Sequence, residues 1–534
     1  MPPLLLHNAQ IYTLDRSNPR AEAIVIEAGR ILAVGGKDLI RQFEGRAEQQ
    51  DLGKRTVVPG LTDAHIHLQQ YALGLKKVNC ETPTLAQCLE GVAARARQTP
   101  PGEWILGHGW AQNDWPDLPP EGEGFPTADL LDVIAPAHPV YLTAKSLHAG
   151  WVNSAAMRLA GISSSTPDPP DGKILHDKTG SASGILLEGA MRLATQAQKA
   201  PSEDEVAGAI EQAQPLLWKF GLTGVHDFDQ RACFMALQSL HASGRLGLRI
   251  TKSVPVELLP HAHALGLRSG FGDDLLRIGS VKVFMDGALG PRTAAMFQPY
   301  GTEPENRGIL NVDGEELFEI GRQAGEVGLS VAVHAIGDRA NHEALNAFEQ
   351  LRADEREAGR PKLRHRIEHV QVLHPVDRPR LAALQVIASM QPIHAISDMT
   401  AADRYWGKRS RYAYAWKTQQ NHGARLAFGS DAPVESPNPF LGLHAAVTRR
   451  RPDGHPAPEG WYPAERVTIR TALEAYTAGP AYAAGTDDRL GRLRPGYLAD
   501  LVVLEEDPFT CPADDLLTMQ ARSTMLGGQW VWQQ

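Results

Sequence analysis

His65 and His67 stand one residue apart in "TDAHIHL". On a strand, residues i and i+2 point to the same face, so both imidazoles can reach one point. Two ligands on a single metal ion need that disposition. The chain supplies its own control, because "PHAHALG" spaces His261 and His263 identically in a segment that reads as helical or irregular. On a helix, residues two apart diverge, so a metal pair is expected at the first site and not at the second. His334 in "VHAIGD", His369 in "RIEHVQ" and Asp431 in "FGSDAP" each close a short apolar run. Taken singly, each reads as a hydrogen-bonded core histidine or an aspartate capping the next helix. Their shared position at the ends of such runs sets them apart.

Lys282 is the odd residue. In "GSVKVFMDG" it lies among Val281, Val283, Phe284 and Met285, which read as a buried strand. Burial can lower a lysine pKa by roughly 3–5 units. A neutral amine reacts with carbon dioxide to give a carbamate, which is a carboxylate on a long arm, able to bridge two cations. The alternative is an ordinary ion pair with Asp286 or Glu368. Four histidines and an aspartate are the N and O donors that zinc and similar ions take, and they exceed the needs of one tetrahedral ion.

These residues must be positioned by something regular. Eight short β-rich runs recur along the middle of the chain, at 56–68, 222–228, 248–254, 279–287, 329–338, 364–371, 385–392 and 425–433. Helix-like stretches such as 314–327, 340–358 and 466–478 lie between several of them. Alternation of this kind predicts βαβ units and a parallel sheet. Eight units predict an α/β fold, a TIM-type (β/α)8 barrel with its site at the C-terminal ends of the strands. Residues 1–57 and 485–534 alternate like short antiparallel strands and are expected to join in one small composite β-sandwich domain, with the barrel at 58–484. About 150 residues, 68–221, separate the first barrel strand from the second. That is far beyond an ordinary βα loop, and the insertion is expected to form a lid or substrate-binding subdomain on the active face.

Composition narrows the function classes. The chain has 534 residues, a net charge of -9 and 43% apolar residues. No basic cluster argues for nucleic acid, and no apolar run is long enough to span a membrane. The N-terminus "MPPLLLHNAQ" lacks the pattern of a signal peptide. Cys80, Cys88, Cys233 and Cys511 show no C-x-x-C spacing and read as reduced thiols, so a cytoplasmic protein is expected. There is no G-x-S-x-G elbow and no phosphate loop.

The ordered motifs resemble the amidohydrolase superfamily, in particular its YtcJ-like (amidohydrolase 3) branch, which includes N-substituted formamide deformylases. "VVPGLTDAHIHL", "VKVFMDGALGPRTAAM", "VHAIGDRA", "RIEHVQ", "SMQPIHAISDM", "FGSDAPV", "AYTAGPAYAAG" and "GRLRPGYLADLVVLEEDPF" match the branch in order over nearly the whole chain. Pro291 departs from it, standing before Arg292 where the family has a small polar residue. The resemblance implies a binuclear site. His65, His67 and Asp431 would hold one ion, His334 and His369 the second, and carboxylated Lys282 would bridge them. Zinc is the first expectation, manganese or iron the alternatives. It also implies a homodimer.

The expected reaction is hydrolysis of a C–N bond, other than a peptide bond, in a small amide-like (N-acyl or N-formyl) substrate. A metal-bridging hydroxide would attack, with Asp431 as general base and then general acid. Candidate substrate contacts are Arg292, Asp286, His148, Gln112, Asp114, Trp115 and His394. Trp104, Trp110, Trp115 and Trp151 hint at an apolar or aromatic group on the substrate. Competing readings are an ester or lactone hydrolase, a mononuclear deaminase, or a barrel that binds without catalysis. A deaminase has no use for a bridging Lys282, and a non-catalytic barrel would show lost ligands.

Overall fold

The computed structural model describes residues 2–110, 115–119, 124–144, 149–169, 172–301 and 303–534. Eight parallel strands follow one another round a single sheet: Leu61–Ile66, Leu222–Asp227, Arg249–Pro255, Leu276–Phe284, Val331–Ala335, Arg366–His369, Ile387–Met390 and Leu426–Phe428. The first and last strands meet beyond Phe428, where Asp431 N donates to His65 O (2.7 Å) and His67 N to Ala432 O (2.8 Å). The ring is thus a nearly closed (β/α)8 barrel. Runs such as Ile387–Met390 and Leu222–Asp227 are buried at every residue. A strand covered on both faces has no solvent side to fill with polar residues.

Helices return the chain between strands. Gly314–Glu326 begins where the Asp313 side chain accepts from Glu316 N, and Asp338–Glu357 and Pro392–Trp406 follow their strands at once. The stretch expected as one helix at 466–478 is two short ones, Ile469–Ala475 and Ala478–Ala483, because Thr477 leaves the helical region. Among the described residues no helix is long and apolar enough to cross a membrane.

Both chain ends contribute to the small β-structure beside the barrel. Thr56–Pro59 pairs antiparallel with Leu501–Leu504, Val57 facing Val503, in a six-stranded sheet. A four-stranded sheet contains Leu4–His7 and Ala23–Glu27. Leu6, Ile24, Val57, Leu501 and Met525 belong to one shared core.

Residues 73–202 form a compact unit of their own, and Glu203–Lys219 belongs to the barrel unit. The inserted unit is therefore shorter than the 68–221 expected. It is built on a six-stranded sheet. Trp110, Trp115 and Trp151 pack in its core with ring centroids 6.4–6.5 Å apart. Each indole N–H donates to a backbone carbonyl, of Leu142, Thr82 and Thr127 respectively. Trp104 is half-buried against a neighbouring cluster of the same unit.

Candidate metal centre

His65, in the first strand, and His67, just beyond its end, both approach one carboxylate. His65 Nε2 lies 3.4 Å and His67 Nε2 3.5 Å from the same Asp431 Oδ1. Each ring is fixed from behind by a carboxylate on Nδ1, Glu368 Oε2 at 2.6 Å for His65 and Asp229 Oδ1 at 3.2 Å for His67. An imidazole that donates from Nδ1 to a carboxylate presents a bare Nε2, the arrangement found behind metal ligands. His369 is held by Gln391 Oε1 at 2.9 Å on Nδ1. His334 is held the other way round, through Nε2 to Gly287 O at 3.0 Å, and its Nδ1 has no hydrogen-bond partner among the described residues. The His65 and His369 rings are 5.0 Å apart, and those of His334 and His369 4.5 Å. Ligand atoms of His65, His369 and Asp431 all lie within 4.8 Å of one another.

Electrostatics keeps three of these rings, His65, His334 and His369, neutral and acts the other way on His67. Burial, and then the charge on Lys282, holds His65 well below the usual histidine range. Burial likewise pulls His334 down to about 3 and His369 well down. For His67 burial acts downward too, but Asp229 and Asp431 outweigh it and leave its pKa raised. Burial raises Asp431 against the pull of His394, His67 and Lys282.

Lys282 reaches the same place from the fourth strand. Its Nζ is buried and has no hydrogen-bond partner among the described residues. It stands 4.6 Å from the Phe228 ring and 4.7 Å from that of Phe284. Burial pulls its pKa down to about 8, despite the carboxylates of Glu368 and Asp431. The alternative ion pair with Asp286 or Glu368 is not formed. Asp286 is turned away to accept from the amides of Ala295 (2.9 Å), Ile336 (3.0 Å) and Gly337 (2.8 Å). Glu368 is occupied by His65 and by Arg366, whose Nη2 is 3.0 Å from Oε2.

A buried amine without a partner, bare imidazole nitrogens and an aspartate shared between them form a donor set that suits divalent ions. His65, His67, Lys282, His334, His369 and Asp431 would supply the ligands. Among the expected substrate contacts, His394 joins the group, its Nε2 3.9 Å from Asp431 Oδ2 and its ring 6.1 Å from that of His369. Arg292 lies on the loop after the fourth strand, with Nε 3.0 Å from Glu303 Oε1 and its guanidinium near the Tyr405 ring. Two of the expected contacts have other partners. The buried Asp286 carboxylate accepts from backbone amides that tie the fourth and fifth strand ends together, and its Oδ1 lies 3.6 Å from His334 Nε2. Trp115 is a core residue of the inserted unit. Gln112, Asp114 and His148 lie outside the described residues.

Three supporting residues escaped the sequence reading. Arg366, two residues before Glu368, donates to Ala64 O at 2.6 Å and to Glu368 from inside the barrel. Asp229 follows the second strand. Asp63 accepts from the amides of His65 and Ser430, each at 3.0 Å, and clamps the first strand end to the last. Burial pushes Asp63 up to about 7. The signal available for Arg366 and Glu368 was two opposite charges at i, i+2 within a run read as a barrel strand.

A family model described as the amidohydrolase family matches residues 48–532. The chain is 33% identical over 541 residues to the putative amidohydrolase YtcJ of Bacillus subtilis, covering 99% of each. It is 30% identical over 543 residues to the N-substituted formamide deformylase of Arthrobacter pascens, covering 98% of this chain and 97% of that one. Among solved structures, an uncharacterized metal-dependent hydrolase from Pyrococcus furiosus matches with TM-score 0.79 and 30% identity, over 95% of this chain and 100% of that one.

Proposed function

We propose that this chain, which belongs to the amidohydrolase family, hydrolyses a C–N bond in a small amide-like substrate, an N-acyl or N-formyl compound, at a pair of divalent ions. The observation that carries this reading is the convergence of His65 and His67 Nε2 on one Asp431 oxygen, beside the unpartnered amine of Lys282. His65, His67 and Asp431 would hold one ion, and His334 and His369 the other. Lys282 would lie between them as its carbamate, formed when the amine nitrogen adds to carbon dioxide and gives up a proton. Zinc suits the nitrogen donors best, with manganese or iron as alternatives. When bound, such ions supply Lewis acidity toward a carbonyl and toward water.

The chain's own groups carry the protons. Asp431, whose pKa burial raises, is suited to take a proton from water at Oδ2 and to deliver it to the departing amine. His394 faces that oxygen and is the best-supported contact for the substrate carbonyl. Arg292 is the second candidate, as a donor to a carboxylate or carbonyl on the substrate. The choice of a C–N bond rests on likeness to the formamide deformylase.

The test is metal content per chain by elemental mass spectrometry, for the parent and for Lys282→Ala, alongside hydrolysis of N-substituted formamides and matched formate esters. About two ions in the parent, one or none in the variant, and turnover of the amides support the proposal. One ion in both proteins overturns the lysine bridge. Turnover confined to the esters overturns the choice of bond.

A further inference from the structure

The second of the two first-strand histidines is held by a device that extends well beyond the ligands. Asp229 accepts from His67 Nδ1 at 3.2 Å, from Gln69 N at 2.6 Å, and from Gln70 through its backbone N at 3.3 Å and its side chain at 3.2 Å. Its own amide donates to Asp227 Oδ2 at 3.2 Å. Asp227 in turn accepts from Leu68 N at 2.9 Å and pairs with Lys252 Nζ at 2.8 Å. The same Nζ donates to the Asp229 carbonyl. Lys252, Asp227 and Asp229 are all buried. Three strand ends are thus tied at one point, the first through His67 and the start of the following helix, the second through Asp227 and Asp229, the third through Lys252.

Asp227, Asp229 and Cys233 also come within 4.8 Å of one another, a spacing that a metal ion could use. The Lys252 ammonium, 2.8 Å from Asp227 Oδ2, already occupies that place and balances one of the two carboxylates. That charge is spent on Asp227, and the side-chain partners of the Asp229 carboxylate among the described residues are His67 and Gln70, of which His67 is the ring whose tautomer a carboxylate can set.

We infer that Asp229 is a positioning residue: its carboxylate fixes His67 as the Nδ1–H tautomer with Nε2 turned to Asp431, and the buried Lys252–Asp227 pair fixes Asp229. The inference rests on the metal-site reading above and adds the group that sets the affinity of one ligand. His65 is backed in the same way by Glu368 from the sixth strand, so the two ligands of one ion are aimed from two separate strands. Removing such a partner lowers metal affinity about 10–100-fold.

Two readouts test this on the full-length protein, neither of them turnover. The first uses chelator-treated protein labelled with 15N-histidine, at about pH 9, where free imidazole is neutral; His67→Gln identifies the His67 signals. The parent should show a protonated Nδ1 and a bare Nε2 at His67, and Asp229→Ala should lose that preference. A protonated Nε2 in the parent overturns the inference, whether or not the protein binds metal. The second is titration of zinc alone against a chromophoric chelator. Asp229→Ala should bind its weaker-held ion about 10–100-fold less tightly than the parent. Asp229→Asn, whose amide oxygen can still accept from His67, should lie nearer the parent. Gln70→Ala, which removes only a contact at the helix start, should match it. Parent-like zinc affinity in Asp229→Ala overturns the inference. A merely structural role fails the same comparison, because then Asp229→Asn would gain nothing over alanine. A parent that takes up no zinc refutes the metal reading, while the tautomer readout still decides the role of Asp229.

Discussion

Replacing Glu368 by glutamine should damage the barrel interior more than the loss of one hydrogen bond. Glu368 is buried and accepts from His65 Nδ1 at 2.6 Å and from Arg366 Nη2 at 3.0 Å. The other described partners of Arg366 are neutral: the Ala64 carbonyl, the Ser389 hydroxyl and the His226 ring. Burial, and then Arg366 itself, keeps the His226 pKa down at about 3, so that ring too is a neutral partner. At 3.0 Å and an effective dielectric of about 20, the attraction between the two charges is about 5–6 kcal/mol. Desolvation consumes part of it, and breaking such a pair from one side costs about 3–5 kcal/mol. Glu368→Gln and Arg366→Met should each lose stability of that order. The double variant, which leaves no orphaned charge, should lose less than the sum by about 2 kcal/mol or more. Urea midpoints of the chelator-treated proteins, converted with the parent slope, give the cycle. Losses that add to within about 0.5 kcal/mol would show that the two groups do not act as a pair and would refute the reasoning.

Two further outcomes follow from groups away from the site. Glu355 accepts from Arg352 at 2.7 Å and from Leu363 N at 3.0 Å, and lies 3.3 Å from His365 Nε2. Burial opposes its ionisation, but those partners bring its pKa from 4.5 down to about 2. A depressed carboxylate stabilises the fold above its unfolded value and loses that contribution as pH falls through its folded one. Between about pH 4.5 and 2 the parent should therefore lose roughly 3 kcal/mol that Glu355→Gln does not have to lose. Asp63 and Asp286, raised by burial to about 7, slope the opposite way in both proteins. The parent-minus-variant difference in urea midpoint reads Glu355 together with its partner His365, and a flat difference refutes the assignment. In the inserted unit, Trp115→Ala removes a core indole and should cost about 3–5 kcal/mol. The expected reading is faster proteolysis within 73–202 with metal content unchanged. Loss of metal with an intact unit would return Trp115 to the site.

What the sequence disclosed, and what it hid, divides along backbone regularity. The eight strands and the convergence of His65 with His67 were legible because alternation by two holds wherever the chain stays extended. At the sixth strand that rule fails. Glu368 and His369 are adjacent and should point to opposite faces, yet Glu368 touches His65 and the His369 ring lies 5.0 Å from it. The reason is local: φ is 74° at His369 and 44° at Val370, so the chain turns over just where the strand ends. Asp431, at φ 61°, does the same after the eighth strand, and from there its carboxylate meets both histidines. Side chains in the left-handed region cost of order 1–3 kcal/mol each and persist only where the surroundings over-determine them. Glycine would relieve that cost at either position but would delete one of the proposed ligands. On the metal-site proposal the strain sits at residues whose side chains the site needs, and a pattern of hydrophobicity cannot report it. Asp286 misled for a related reason, since its partners are backbone amides brought up by other strand ends. Asp229 lay hidden because its significance depends on Lys252, a strand away, whose burial no local spacing reveals. Chemistry that rests on strand periodicity is written in the sequence. Chemistry that depends on where the strands stop has to be read from the fold.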